Sequence, residues 1–195
     1  MNFPALALLE FSSIAVGIAA GDSMVKRSPV AELISGTVQP GHYLVMVTGN
    51  VADVDEAISA GREVGQAALR DLVCLPQVHE GVVAALRGER PGGDQDALAI
   101  VETSSVAAAI LAADAGLKGA EVVLWQLRLA DGLGGKGIVM FTGLLADVEI
   151  AVALALPLVG DRLQQQIVIP QLHEEMWTNL ARYGRFGEPF GWPPA

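Results

Sequence analysis

Apolar positions along this chain fall into short runs with two different spacings, and the runs recur in one order. Leu6 to Leu9 is continuously apolar and reads as a short buried strand. Ser12 and Ser13 follow, N-cap residues for a helix running to about Lys26, and Ser28-Pro29 stops it because proline disfavours helical geometry in the residue before it. Strands are predicted over Ala31–Val38 and His42–Thr48, joined by the turn Gln39-Pro40-Gly41. A second helix is expected from Asn50, with Val51, Val54 and Ile58 on one face. Leu72–Leu75 reads as a last strand and His79–Leu86 as a short helix. The order β-α-β-β-α-β plus a helix is a ferredoxin-like split βαβ sandwich, an α/β (α+β) fold.

The pattern is then written again. Ala5-Leu-Ala-Leu-Leu-Glu-Phe-Ser-Ser-Ile14 returns as Ala97-Leu-Ala-Ile-Val-Glu-Thr-Ser-Ser-Val106, and Asp22-x-x-x-Lys26 as Asp114-x-x-x-Lys118, both 92 residues on. After a short insertion the offset is 94: Thr48-Gly-Asn-Val-Ala-Asp-Val54 matches Thr142-Gly-Leu-Leu-Ala-Asp-Val148, and Leu75-Pro-Gln-Val-His-Glu80 matches Ile169-Pro-Gln-Leu-His-Glu174. Second-copy strands are expected at Leu98–Val101, Val122–Leu129 and Ile138–Thr142. Domains are therefore expected at 1–88 and 95–182, joined by a polar Gly/Pro linker at 89–94. The tail 183–195 has neither helical nor strand period and is expected to lie extended or partly disordered.

Composition narrows the function. Hydrophobic residues make up 52% and charged residues 17%, enough apolar surface to fold two small domains and still bury some between subunits. A net charge of −10 argues against nucleic acid and against an anionic membrane surface. One cysteine, Cys74, can form no internal disulfide, and the longest apolar run, Ile150 to Gly160, falls short of the ~18 residues of a membrane span. A cytoplasmic protein is expected.

Candidate chemistry is sparse. Glu10 and Glu102 end the first strand of each copy, and a carboxylate near helix-start N–H groups explains them better than general-base chemistry. His79 and His173 lack the companion ligands a metal site needs, and His42 has no histidine counterpart, so structural roles are expected and no metal. Gly132-Leu-Gly-Gly-Lys-Gly137 lies between two strands, so no helix N-terminus faces an anion there; a tight loop where backbone approaches something closely is the better reading. No catalytic residue is assigned.

Ala97–Val106, Ala-Ala-Asp-Ala-Gly-Leu-Lys over 112–118 and Gly-Gly-Lys over 134–136 closely resemble the bacterial microcompartment shell domain. Two such domains in one chain are similar to the unpermuted tandem-domain shell proteins of the propanediol-utilisation type. That resemblance implies a homotrimer mimicking a hexagonal tile, tiling with hexameric and pentameric shell proteins around encapsulated enzymes, at a microcompartment shell in the cytoplasm. It implies tile-edge positions for Lys26 and Lys118 and for the Pro-Arg-Pro-His-like blocks, here Gln77, His79, Gln171 and His173, where both copies have Gln instead of Arg.

It also implies a central pore lined by the second-to-third-strand loops, here Gln39, Pro40, Ala130, Asp131, Gly132, Leu133 and Gly134. Some tandem relatives hold an iron–sulfur cluster on the three-fold axis through a loop cysteine. Gln39 stands there and no cofactor is expected, the alternative being an electron-transfer or ligand-binding tile with a cofactor on the axis. Three Asp131 around a pore would favour cations and make it a conduit for neutral or cationic metabolites; the alternative is that Asp131 turns away and only solvates the loop. Differences between the copies are expected to be where specificity sits.

Overall fold

A computed structural model describes residues 5–90, 96–182 and 184–192. Most of the expected linker, and residues 183 and 193–195 of the tail, lie outside them.

Each copy builds a four-stranded antiparallel sheet. The first holds β1 (Ala5–Phe11), β2 (Glu32–Val38), β3 (His42–Gly49) and β4 (Leu69–Leu75) in the order β2-β3-β1-β4. The second holds β5 (Ala97–Thr103), β6 (Val123–Leu129), β7 (Gly137–Gly143) and β8 (Leu163–Ile169) in the order β6-β7-β5-β8. Helices α1 (Ile14–Arg27) and α2 (Val51–Gly65) cover one face of the first sheet; α4 (Val106–Gly119) and α5 (Leu145–Val159) cover the matching face of the second. Short helices α3 (Glu80–Leu86) and α6 (Glu174–Arg182) end each copy, α3 packing across on β6 and α4 of the second. The ferredoxin-like βαββαβ order predicted from the spacing is the order observed.

The caps act as the sequence suggests. Ser13 Oγ accepts the N–H of Val16, and Ser105 Oγ that of Ala108, each meeting an N–H the first helical turn leaves unpaired. Strand β4 begins three residues earlier than predicted. The charges at its start are satisfied there: Arg70 pairs with Glu10 of its own copy, and Asp71 with Arg162 across the junction between the copies.

That junction explains why β1 is buried along its whole length. Ala5, Ala7, Leu9 and Phe11 point to α1 and α2, while Leu6 and Leu8 share a continuous core with Val73, Leu75 and the α4 residues Val106 and Ile110. The second copy's α4 thus lies against the open face of the first copy's sheet. On the second sheet α6 covers part of the open face, its Trp177 packing on Leu98 and Met140 and meeting Trp125 edge to face at 5.3 Å, while Ile167 on β8 stays exposed.

The tail differs from expectation. Residues 184–192 bend into turns and a short 3₁₀ segment, Glu188–Phe190, with Phe186, Phe190 and Trp192 drawn together at centroid distances of 5.6–6.2 Å. The aromatic pairs supply the contact area that a segment without periodicity otherwise lacks.

Candidate functional site

The two inter-strand loops lie side by side and hold each other. The backbone N–H of Gln39 donates to Asp131 Oδ1 at 3.0 Å, and the N–H of Gly132 donates to Gln39 Oε1 at 3.1 Å. Gly135, at φ +87°, lies so close to Pro40 that a Cβ there would come within 2.8 Å of Pro40 Cδ. The backbone approach expected of the glycine-rich loop is therefore made to its sister loop. Together they line a cleft of about 710 Å³ with Thr37, Gln39, Pro40, Asp131, Gly132 and, from the tail, Arg185.

Of the residues expected at the pore, Gln39, Pro40, Asp131 and Gly132 line this cleft. Leu133 and Gly134 form the turn of the loop, with the Leu133 N–H donating to Ala130 O. Ala130 is fully buried in the core beneath the loop, so its methyl does not face the cleft. Arg185 was not foreseen, because nothing in the tail's sequence ties it to a loop more than fifty residues earlier.

The expected edge residues divide between the copies. Lys118 Nζ bonds Asp114 Oδ2 (2.6 Å) and the carbonyl of Gln77, while Asp114 Oδ1 accepts the N–H of His79 at 2.8 Å. An Asp–Lys pair of the second copy thus clasps the Pro-Gln-Val-His block of the first. The matching pair Asp22–Lys26, also 2.6 Å apart, stands exposed, with side-chain exposures of 57% and 73% against 6% for Asp114. Gln171 and His173 are exposed too. The histidines serve as caps: His79 Nδ1 accepts the N–H of Gly81 at 3.1 Å, and His173 Nδ1 that of Glu175 at 3.2 Å.

Glu10 corrects the sequence reading in one respect. Its Oε2 accepts the N–H of Val106 at 3.0 Å, so it serves the start of the other copy's helix rather than its own. It is fully buried, with His42 Nδ1 and Arg70 Nε each 3.3 Å from Oε1. Burial pushes its carboxyl above the usual range, against the opposing pull of the Val106 N–H, Arg70 and His42. Beside it Asp71 takes Arg162 Nη1 at 2.9 Å and the Ser105 hydroxyl. Glu102, its counterpart, pairs with Lys136 and reaches no helix start among the described residues.

Cys74 is half-buried on β4, its Sγ 3.8 Å from Asp55 Oδ1, and belongs to the packing around α1 and α2 rather than to the loop cleft. Burial and the Asp55 carboxylate push its thiol up, the direction of an inert cysteine. Among the described residues no group of three or more His, Cys, Asp or Glu could hold a metal ion, and no helix is long and apolar enough to cross a membrane.

Comparison with known proteins gives one consistent result. The family model described as the BMC domain matches twice, over residues 5–78 and 97–172. The bacterial microcompartment shell protein PduT of Citrobacter freundii is 39% identical over 178 residues, covering 90% of this chain and 97% of that protein. A microcompartment protein from Desulfitobacterium hafniense, solved as a crystal structure, superimposes with a TM-score of 0.77 at 38% identity, covering 89% of this chain and 98% of that one. The fused permuted hexameric shell protein MSM0275 from the RMM microcompartment is similar in fold, with a TM-score of 0.56 at 20% identity over 77% of this chain and 81% of that one.

Proposed function

Since the chain belongs to the BMC-domain family as a tandem-domain shell protein of a bacterial microcompartment, we propose that it closes head to tail into a homotrimeric pseudohexamer whose paired loops ring a central pore for small metabolites. The reading takes the tile as a structural wall rather than an enzyme, joined at its edges to hexameric and pentameric shell proteins and enclosing the enzymes of its compartment.

The observation that carries it is a mismatch in burial between equivalent faces. Val106 and Ile110 on α4 are fully buried by the first copy, whereas their counterparts Ile14 and Ile18 on α1 are 38% and 54% exposed. On the sheets the reverse holds: Val73 is buried against α4 and its counterpart Ile167 is 51% exposed. The chain therefore shows one half of its internal junction at each end. Ile167 and Glu102 would receive Ile14 of the partner subunit as Val73 and Glu10 receive Val106. Such a heterologous contact closes into a ring when the rotation allows, and a six-domain ring takes three chains.

Lys26 with Gln171 and His173 would then repeat the clasp of Lys118 on Gln77 and His79, leaving these residues at the outer junctions where neighbouring tiles meet. The decisive experiment is sedimentation equilibrium of the wild type beside Ile18→Asp. A trimer for the wild type and a folded monomer for the variant, with affinity lowered on the order of a hundredfold or more, is the expected outcome. A wild-type monomer at tens of micromolar, or a variant that still trimerises, would sink the proposal.

A further inference from the structure

The cleft between the paired loops has two charged lining residues among the described ones, Asp131 from a loop and Arg185 from the tail. The tail is held in place by its own contacts. The Gly184 N–H donates to Glu188 Oε2 at 2.8 Å, and the Phe190 and Trp192 N–H groups both donate to the carbonyl of Gly187. The Trp192 indole lies on Gly187 so closely that a Cβ there would fall 2.5 Å from Trp192 Cε3. This knot sets the Arg185 stem against Gly132, where a Cβ would meet Arg185 Cδ at 3.5 Å.

The two charges are not equivalent. One oxygen of Asp131 accepts the Gln39 N–H, so part of its charge is spent inside the rim. The guanidinium of Arg185 has only its Nε edge on a carboxylate, Glu188 Oε1 at 3.6 Å, and no acceptor for its Nη groups among the described residues. Backbone N–H groups and Arg185 hold the Glu188 carboxyl below the usual range, so it stays ionised and anchors the arginine. An arginine held at one edge and open at the other is arranged to meet a small anion with its paired donors.

We propose that the C-terminal segment is part of the pore rim and that Arg185 sets the rim's charge, admitting small anions such as carboxylates where the loops alone would favour cations. This rests on the pore reading above. Three Asp131 without a countercharge would repel anions. Three Arg185, each with its Nη edge open beyond the Glu188 contact, place an anion-docking group beside them at the mouth.

The test uses crystals of the full-length trimer, wild type and Arg185→Gln, soaked in sodium bromide or rubidium chloride and read by anomalous scattering. Expected are bromide beside Arg185 in the wild type, its occupancy about tenfold lower in the variant, and rubidium appearing at Asp131 only in the variant. Arg185→Lys should keep most of the bromide. Unchanged bromide and rubidium in Arg185→Gln, with the tail still folded on the loops, would overturn the role of Arg185 while leaving the pore reading intact. Loops lying away from the three-fold axis would overturn the pore reading itself, and this inference with it.

Discussion

Core residues of the two copies differ in pairs that conserve volume. In the first copy Met24 on α1 fills the space beside Val47 and Gly61; a Cβ on Gly61 would come within 2.7 Å of Leu9 and 2.9 Å of Met24 Sδ. In the second copy the equivalent positions are Gly116, Phe141 and Ala155. The ring of Phe141 occupies the room that Met24 fills in the first copy, and a Cβ on Gly116 would sit 2.4 Å from its Cζ. Gly17 under Tyr43 and Ala109 over Gly137 make the same exchange. Several differences between the copies therefore concern packing, not the specificity expected of them. Gly116→Ala should cost about 1–3 kcal/mol by overpacking against the ring. Gly116→Ala with Phe141→Val should cost less than the sum of the two single changes, because the smaller side chain relieves the clash. Urea denaturation at one protomer concentration measures both, since assembly would otherwise shift the midpoint. Additive losses would mean that the two positions do not share space.

At the level of elements, α4 shows what a tandem chain adds to a single domain. Its N-terminus is met by the first copy's Glu10, a fully buried carboxylate, with His42, Arg70 and Asp71 around it. Because burial raises Glu10 above its unfolded value, the native state holds its proton more tightly than the unfolded chain does. The stability this contributes is present below the ordinary carboxylate range and is lost as pH rises through the folded value. Relative to Glu10→Gln, the wild type should therefore lose stability on going from acid to neutral pH, a difference that thermal melts of the two proteins across that range will register. Parallel pH profiles would mean the junction does not perturb this group. Strands and helices were legible in the sequence because their periods and caps are local, and the repeat carried the element order of the first copy onto the second. The roles of Glu10 and Asp71 were not, because Val106 and Arg162 lie on the other copy, and Arg185 was missed because the loop it meets lies more than fifty residues earlier. A charge buried by a neighbouring domain reads as a solvated one until the domain is in place.

For the molecule as a whole, the ring argument also says which surfaces stay outside it. Helix α5 is flanked by a junction already formed within the chain, yet Ile150, Leu154 and Leu158 remain 47%, 43% and 49% exposed. If the junction between chains copies the one within, the ring covers neither α5 nor its counterpart α2. The two helices differ in chemistry. The exposed side of α2 carries Asp53, Asp55, Glu56, Arg62 and Glu63, whereas α5 has only Asp147 and Glu149. A trimer would alternate charged and apolar outer helices, and a tile carrying three chains of −10 repels its like at low salt. Apolar contact through α5 is then the attraction available to offset that repulsion when tiles meet. Leu154→Glu should leave the trimer intact by sedimentation, since the residue takes no part in the junction, yet remove the hexagonal sheets seen by electron microscopy. Wild-type sheets should also grow more extensive as salt is raised from about 0.01 M to 0.15 M, because the Debye length shrinks from roughly 30 Å to 8 Å and with it the repulsion between tiles. Sheets that persist in the variant, or that dissolve as salt is raised, would place the lateral contact on the charged helices instead.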